Sequence, residues 1–159
     1  MVAFECVIYL GIINQFFTMP ELPEVETIAN NLAPLVQAKI ITNVWTSGLK
    51  MRSHLSEFDK QALPGKRVHN VTRLGKYLVI ELCDEYLLIH FGMSGRLIFA
   101  QSTLEMRRTI NSLNHIHLCL DFNDFFILYQ DPRRFGSVRT VSKAGPKTTG
   151  QLSTFLGIG

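Results

Sequence analysis

The sequence predicts an α+β protein that is mainly β: an antiparallel β-sandwich or flattened barrel of about eight strands with an N-terminal helix. Three observations predict it. One run near the start keeps the period of a helix, the chain after it switches to period two, and turn formers interrupt the alternating runs at short intervals. The length of 159 residues, 47% of them hydrophobic, is enough for one domain with its own core.

The helix begins at the stretch MPELPEVE, residues 19–26. From Pro23 onward, Val25, Ile28, Ala29, Leu32, Leu35 and Val36 recur at i, i+3, i+4 and i+7 spacing. Pro23 suits a first-turn position, and Glu24 and Glu26 complement the positive end of the helix dipole. Pro34 is expected to bend or end the helix near its last turn. The strands follow as KIITNVW, RVHNVTRL, KYLVIEL, YLLIHFGM, GRLIFAQ, HIHLCLDF, DFFILYQ and GSVRTV, each short and rich in β-branched and aromatic residues. Cys83-Asp84-Glu85 and Asn123-Asp124 read as hairpin turns. The last stretch, GPKTTGQLSTFLGIG, reads as a linker with one helical turn beginning at Thr148 or Thr149.

Composition narrows the class of protein. The net charge of +3 is too small to single out nucleic acid as a partner. Its distribution says more, because basic residues recur from Lys66 to Lys147 while acidic ones thin out after Asp131. Cys6, Cys83 and Cys119 are far apart with no CxxC pair, so neither a disulfide framework nor a zinc site is written here. Cys83 and Cys119 lie in apolar runs and are expected to pack as small hydrophobes in a reducing compartment. The opening MVAFECVIYLGIINQFFT is apolar but lacks a basic flank and a small-residue cleavage site, and it is too short to span a bilayer. The expectation is a soluble intracellular protein without a membrane partner, carrying an N-terminal extension.

Four stretches are too rich in costly residues for plain connections: MPELPEVE (19–26), RLGKYLVIEL (73–82), HFGMSGRL (90–97) and DPRRFGSV (131–138). Each has a structural explanation by itself: GMSG as a tight turn, DPRRFG as a turn before a strand, Lys76 as a strand-start residue with its amine in water. Together, in this order, they resemble the N-terminal domain of the bacterial formamidopyrimidine-DNA glycosylases, bifunctional enzymes that remove oxidised purines such as 8-oxoguanine from double-stranded DNA. The resemblance runs from Met19 to about Gly157, and PELPEVE and DPRRFG are its most specific motifs. Leu22-Pro23 separates the chain from the related endonuclease VIII, whose start resembles PEGPEI.

The resemblance implies roles for individual residues. Pro20 matches the nucleophile, which attacks C1′ of the damaged nucleotide once the initiator methionine is removed. A terminal proline is a secondary amine less basic than lysine, and its attack yields an iminium that expels the base and permits β- and δ-elimination. Glu21 matches the general acid for the sugar ring oxygen, a function that typically contributes ~10²- to 10⁴-fold. Glu24 matches a second active-site carboxylate, although a helix-dipole role alone also accounts for it. Lys76 matches the lysine beside the lesion, where an ammonium contacts the phosphate backbone and stabilises charge during elimination. Met93, Arg133 and Phe135 match the residues that fill the void left by the flipped nucleotide. His115 and His117, expected to alternate on one strand, resemble phosphate-contacting histidines; their spacing also suits a metal pair, with no third ligand evident.

No metal or organic cofactor is implied within this chain, since the family's structural zinc belongs to a C-terminal part. The resemblance also implies a monomer and a cytoplasmic, nucleoid-associated bacterial protein. Residues 1–18 are expected to be an extension outside the functional enzyme, 19–147 the catalytic domain, and 148–159 the start of a linker to a helix–two-turn–helix and zinc-finger domain that does not follow. If Met1 is the start, the nitrogen of Pro20 is a tertiary amide with its lone pair delocalised, and it cannot attack. Met19 is therefore the expected functional start. Two competing expectations remain: a truncated, catalytically inactive DNA-binding fragment or pseudoenzyme of the same family, and a structural β-sandwich with no nucleic-acid partner.

Overall fold

The computed structural model of the chain describes residues 21–158. Pro20, the expected start at Met19, the extension 1–18 and Cys6 lie outside the described residues. Helix α1 (Leu22–Val36) begins as its sequence requires: Glu21 is the N-cap in extended conformation, Pro23 lies in the first turn, and the Glu21 carbonyl accepts from the Val25 amide at 3.1 Å. Its buried stripe is Val25, Ala29, Leu32 and Val36, and it ends just beyond Pro34. After it come β1 (Asn43–Thr46), α2 (Glu57–Ala62), β2 (Asn70–Leu74), β3 (Tyr77–Glu81), β4 (Glu85–His90), β5 (Arg96–Ala100), α3 (Thr103–Ser112), β6 (Ile116–Asp121), β7 (Phe126–Gln130), β8 (Ser137–Ser142) and α4 (Thr149–Leu156).

The eight strands form two antiparallel sheets of four, ordered β1-β6-β7-β5 and β2-β3-β4-β8, packed as an open sandwich. Between the sheets lie the inward residues of alternating strands, among them Leu118, Leu120, Ile127 and Tyr129 facing Leu78, Ile80, Leu87 and Ile89, with α1 closing one side. The outward residues are not left to solvent. Ile116, Cys119, Phe126 and Leu128 pack beneath Met106, Ile110 and Leu113 of the α3 region, and Val79, Tyr86 and Leu88 pack beneath Leu152 and Leu156 of α4. Coverage on both faces explains why β4 and β7 read as continuous apolar runs rather than as clean alternation.

Three expectations need correction. Residues 57–62 and 103–112, assigned no helix from sequence, form α2 and α3, capped by Ser56 and Ser102, whose hydroxyls accept from the Asp59 and Glu105 amides. The single turn expected after Thr148 is an eight-residue helix whose Leu152 is fully buried. Cys83 does not pack as a small hydrophobe: it is exposed in the β3–β4 turn, where its thiol donates to Asp84 Oδ1 at 3.4 Å, because Leu82 takes the buried position. Cys119 is buried as expected.

Candidate functional site

Two connections that cross between the sheets meet at one end of the sandwich: residues 91–95 from β4 to β5, and 131–136 from β7 to β8. Their backbones approach so closely that a Cβ on Gly92 would lie 2.5 Å from the Gly136 nitrogen and 2.6 Å from the Phe135 carbonyl carbon. Gly92 also has a φ of +59°, which a side chain disfavours, so glycine serves both the turn and the approach.

Asp131, fully buried, ties the two loops together. Its Oδ1 accepts from Ser94 Oγ at 2.7 Å, and its Oδ2 accepts from the Gly136 amide at 2.8 Å and the Tyr129 hydroxyl at 3.3 Å. Ser94 Oγ in turn accepts from the Arg133 amide at 3.1 Å. Three large side chains project from this rigid junction. Met93 is 42% exposed, Phe135 is 49% exposed, and the Arg133 guanidinium carbon sits 5.0 Å from the Phe135 ring centroid. Met93, distant in sequence from Arg133 and Phe135, is thus brought to the same place as they are.

Lys76 stands in the two-residue turn between β2 and β3, behind Gly75, whose φ is +58°. It makes no hydrogen bond or ion pair among the described residues, and its ammonium is close enough to His90 to act on it. His90, the last residue of β4, is held below the ordinary histidine pKa first by burial and then by the positive charges of Arg52 and Lys76. Its Nδ1 accepts from the Gly92 amide at 3.1 Å, which joins this basic cluster to the Met93 loop. Neither Arg52 nor His90 was singled out from sequence; His90 heads the HFGMSGRL stretch, but its meeting with Arg52 and Lys76 depends on tertiary structure.

The α1 carboxylates lie at that helix's first turn. Glu21 is exposed and makes no side-chain capping bond, whereas Glu24 is half-buried, with Oε2 shielded and unpartnered among the described residues. The histidine pair differs from expectation. His115 precedes β6 with a φ of +64°, and the pairing register shifts between Ile116 and Leu118, so the two do not alternate on a regular strand. His117 is 4% exposed, its Nε2 bonds the Asp131 carbonyl at 2.9 Å, and burial lowers its pKa. It props the Asp131 loop from within as a neutral ring. The two rings lie 6.3 Å apart, and among the described residues no group of three His, Cys, Asp or Glu side chains could hold a metal ion. No helix among the described residues is long and apolar enough to cross a membrane.

The model of the formamidopyrimidine-DNA glycosylase N-terminal domain matches residues 19–138. The chain belongs to the formamidopyrimidine-DNA glycosylase family. Among curated glycosylases of this name, one from Acinetobacter baumannii (strain SDF) is 36% identical over 139 residues, covering 87% of this chain and 47% of the relative. Another, from Hahella chejuensis, is 42% identical over 119 residues, covering 74% of this chain and 42% of the relative. The chain therefore spans about half the length of the glycosylases it matches. A complex of wild-type Lactococcus lactis Fpg (MutM) with DNA containing N7-benzyl-Fapy-dG superposes with a TM-score of 0.71 at 30% identity, covering 87% of this chain and 48% of that one. The complex of Lactococcus lactis Fpg with DNA containing an abasic site gives 0.70 at 29% identity, covering 86% and 47%. The glycosylase N-terminal fold thus accounts for both sheets and for the loops at their shared end.

Proposed function

We propose that this chain carries the catalytic half of a base-excision DNA glycosylase with AP-lyase activity, acting on oxidised purines in duplex DNA. In this reading the amine of Pro20, freed when translation starts at Met19 and the methionine is removed, forms a bond to C1′ of the damaged nucleotide. The base departs with its bonding pair and a proton, Glu21 protonates the sugar ring oxygen as the ring opens, and the proline becomes an iminium. That cation is the electron sink for the two eliminations that expel the flanking phosphates, so the chemistry draws on no metal or organic cofactor. Glu24 holds the amine, and Lys76 with the neighbouring charge of Arg52 receives the phosphate charge.

The observation that carries this reading is the junction of the two crossing loops. It presents an unbranched apolar side chain, a flat aromatic and a guanidinium at one rigid point, the chemistry needed to wedge into an opened base step and bond to the orphaned base. A buried carboxylate is spent on holding that point together, which a plain turn would not require. Further support comes from solved relatives whose partners are DNA with Fapy-dG or abasic lesions.

The test is borohydride trapping on an 8-oxoguanine duplex, with protein begun at Met19 and joined to a relative's C-terminal half. A covalent adduct that disappears when Pro20 is blocked or replaced is the expected result, and absence of any Pro20-dependent adduct rejects the assignment. A second reading is a DNA-binding member of the same family without turnover. It predicts salt-sensitive, lesion-indifferent binding by the full chain and no adduct.

A further inference from the structure

The position of Lys76 raises a problem that the loops around it answer. Its ammonium ends a flexible four-carbon stem and has no partner among the described residues, so its location depends on the backbone turn that carries it. That turn is gripped by one guanidinium. Arg73 Nε donates to Glu26 Oε2 at 2.6 Å, and its Nη1 donates to the Gly75 carbonyl at 3.1 Å. Glu26 belongs to the opening turns of α1, the same segment that bears Glu21 and Glu24. One side chain therefore bonds both to the helix carrying the site's carboxylates and to the turn carrying its lysine.

We propose that Arg73 is a positioning residue that fixes the Lys76 turn against the start of α1, setting the distance between the end of that helix bearing Glu21 and Glu24 and the Lys76 ammonium. The inference rests on the proposed function for its catalytic consequence. Stability is a poor explanation of the contact, because the side chains are 29% and 49% exposed and a solvated ion pair contributes little. Geometry is a better one. A planar guanidinium donates through separate nitrogens in two fixed directions, whereas the donors of an ammonium all rotate about one nitrogen. The turn also meets an apolar contact: a Cβ on Gly75 would lie 3.0 Å from Ile158 Cγ2. Ile158 is itself fixed by the end of α4, where its amide donates to the Ser153 carbonyl at 3.0 Å and its carbonyl accepts from the Ser153 hydroxyl. The lysine turn is thus held by a polar brace and by an apolar stop.

The test pairs a structural readout with a kinetic one. In the full chain, Arg73→Gln and the milder Glu26→Gln should lower the backbone NMR order parameters of Gly75 and Lys76 from about 0.85 towards 0.6. Strand amides should keep their values. In the protein used for borohydride trapping, both variants should lower kcat by about ten- to a hundredfold, the loss expected for misplacing a catalytic group by about 1 Å, while KM changes little. Arg73→Lys keeps the charge but lacks the second nitrogen that the guanidinium places for the Gly75 carbonyl, so it should not restore kcat. Unchanged order in Arg73→Gln, unchanged kcat despite lowered order, or full rescue by lysine would each overturn the inference. A parent protein that forms no adduct, with the turn still loosened in the variants, points instead to failure of the proposed function and leaves the brace standing.

Discussion

Replacing Asp131 by alanine tests the junction on which the site depends. The carboxylate accepts three hydrogen bonds in full burial, from Ser94, Tyr129 and the Gly136 amide. Its loss does not strand all three donors equally. Tyr129 retains the His90 carbonyl at 3.2 Å, and Ser94 is partly exposed and can turn to water. The Gly136 amide has neither option, and a buried unsatisfied donor costs about 1–3 kcal/mol. Losing the charge-assisted bond from Ser94 adds about 1.5–3 kcal/mol, so the expected loss is about 4 kcal/mol. A domain stable by about 5–15 kcal/mol remains folded at 25 °C after such a loss. With a urea slope near 2 kcal/mol/M the unfolding midpoint should fall by about 2 M, read by circular dichroism and by the fluorescence of the single tryptophan, Trp45. Asp131→Asn, which keeps one acceptor oxygen for Gly136, should lose roughly half as much. A midpoint shift below about 0.5 M in the alanine variant would refute the reasoning, because it would mean that the three bonds do not hold the loops.

Further outcomes follow from other parts of the molecule. Gly92→Ala forces a side chain onto a φ of +59° and against the backbone of residues 135–136, and should cost about 2–4 kcal/mol in urea unfolding while weakening lesion-duplex retention. Leu152→Ala empties a fully buried position beneath α4, and should cost about 2–5 kcal/mol; a smaller loss would mean that α4 is not part of the cooperative unit. Burial lowers the folded-state pKa of both His90 and His117, so above pH ~6.5 both states hold these rings neutral and stability is at its full value. As pH falls below that point the unfolded chain binds protons that the folded chain refuses, and stability declines. Urea midpoints at pH 7.5 and 5.5 should show this fall, and it should be smaller in His117→Gln.

Local signals made much of the fold legible. Pro23 with the Val25–Val36 stripe marked α1, and short runs of β-branched and aromatic residues bounded by turn formers marked the strands, because each signal depends on neighbours in the chain. The cap signals of α2 and α3 were also present, Ser56 with Asp59 and Ser102 with Glu105, but their apolar stripes are short and easily passed over. Strand order was not legible, since β1 pairs with β6 and β4 with β8 across long stretches of chain. The same limit applies to the site. Met93, Arg133 and Phe135 stood out by motif, but Asp131 gains its role only from Ser94 and Gly136, and His90 only from Arg52 and Lys76.

The placement of the two loops has a mechanical consequence. Among the described residues the chain passes from one sheet to the other in the segments 47–69, 91–95 and 131–136, and the last two are the ones that bear Met93, Arg133 and Phe135. A load applied at these tips passes directly into β4, β5, β7 and β8, strands that belong to both layers. Slippage of one layer over the other would therefore strain both loops at once, and would disturb the placement of Met93 against Arg133 and Phe135 without altering any of those three side chains.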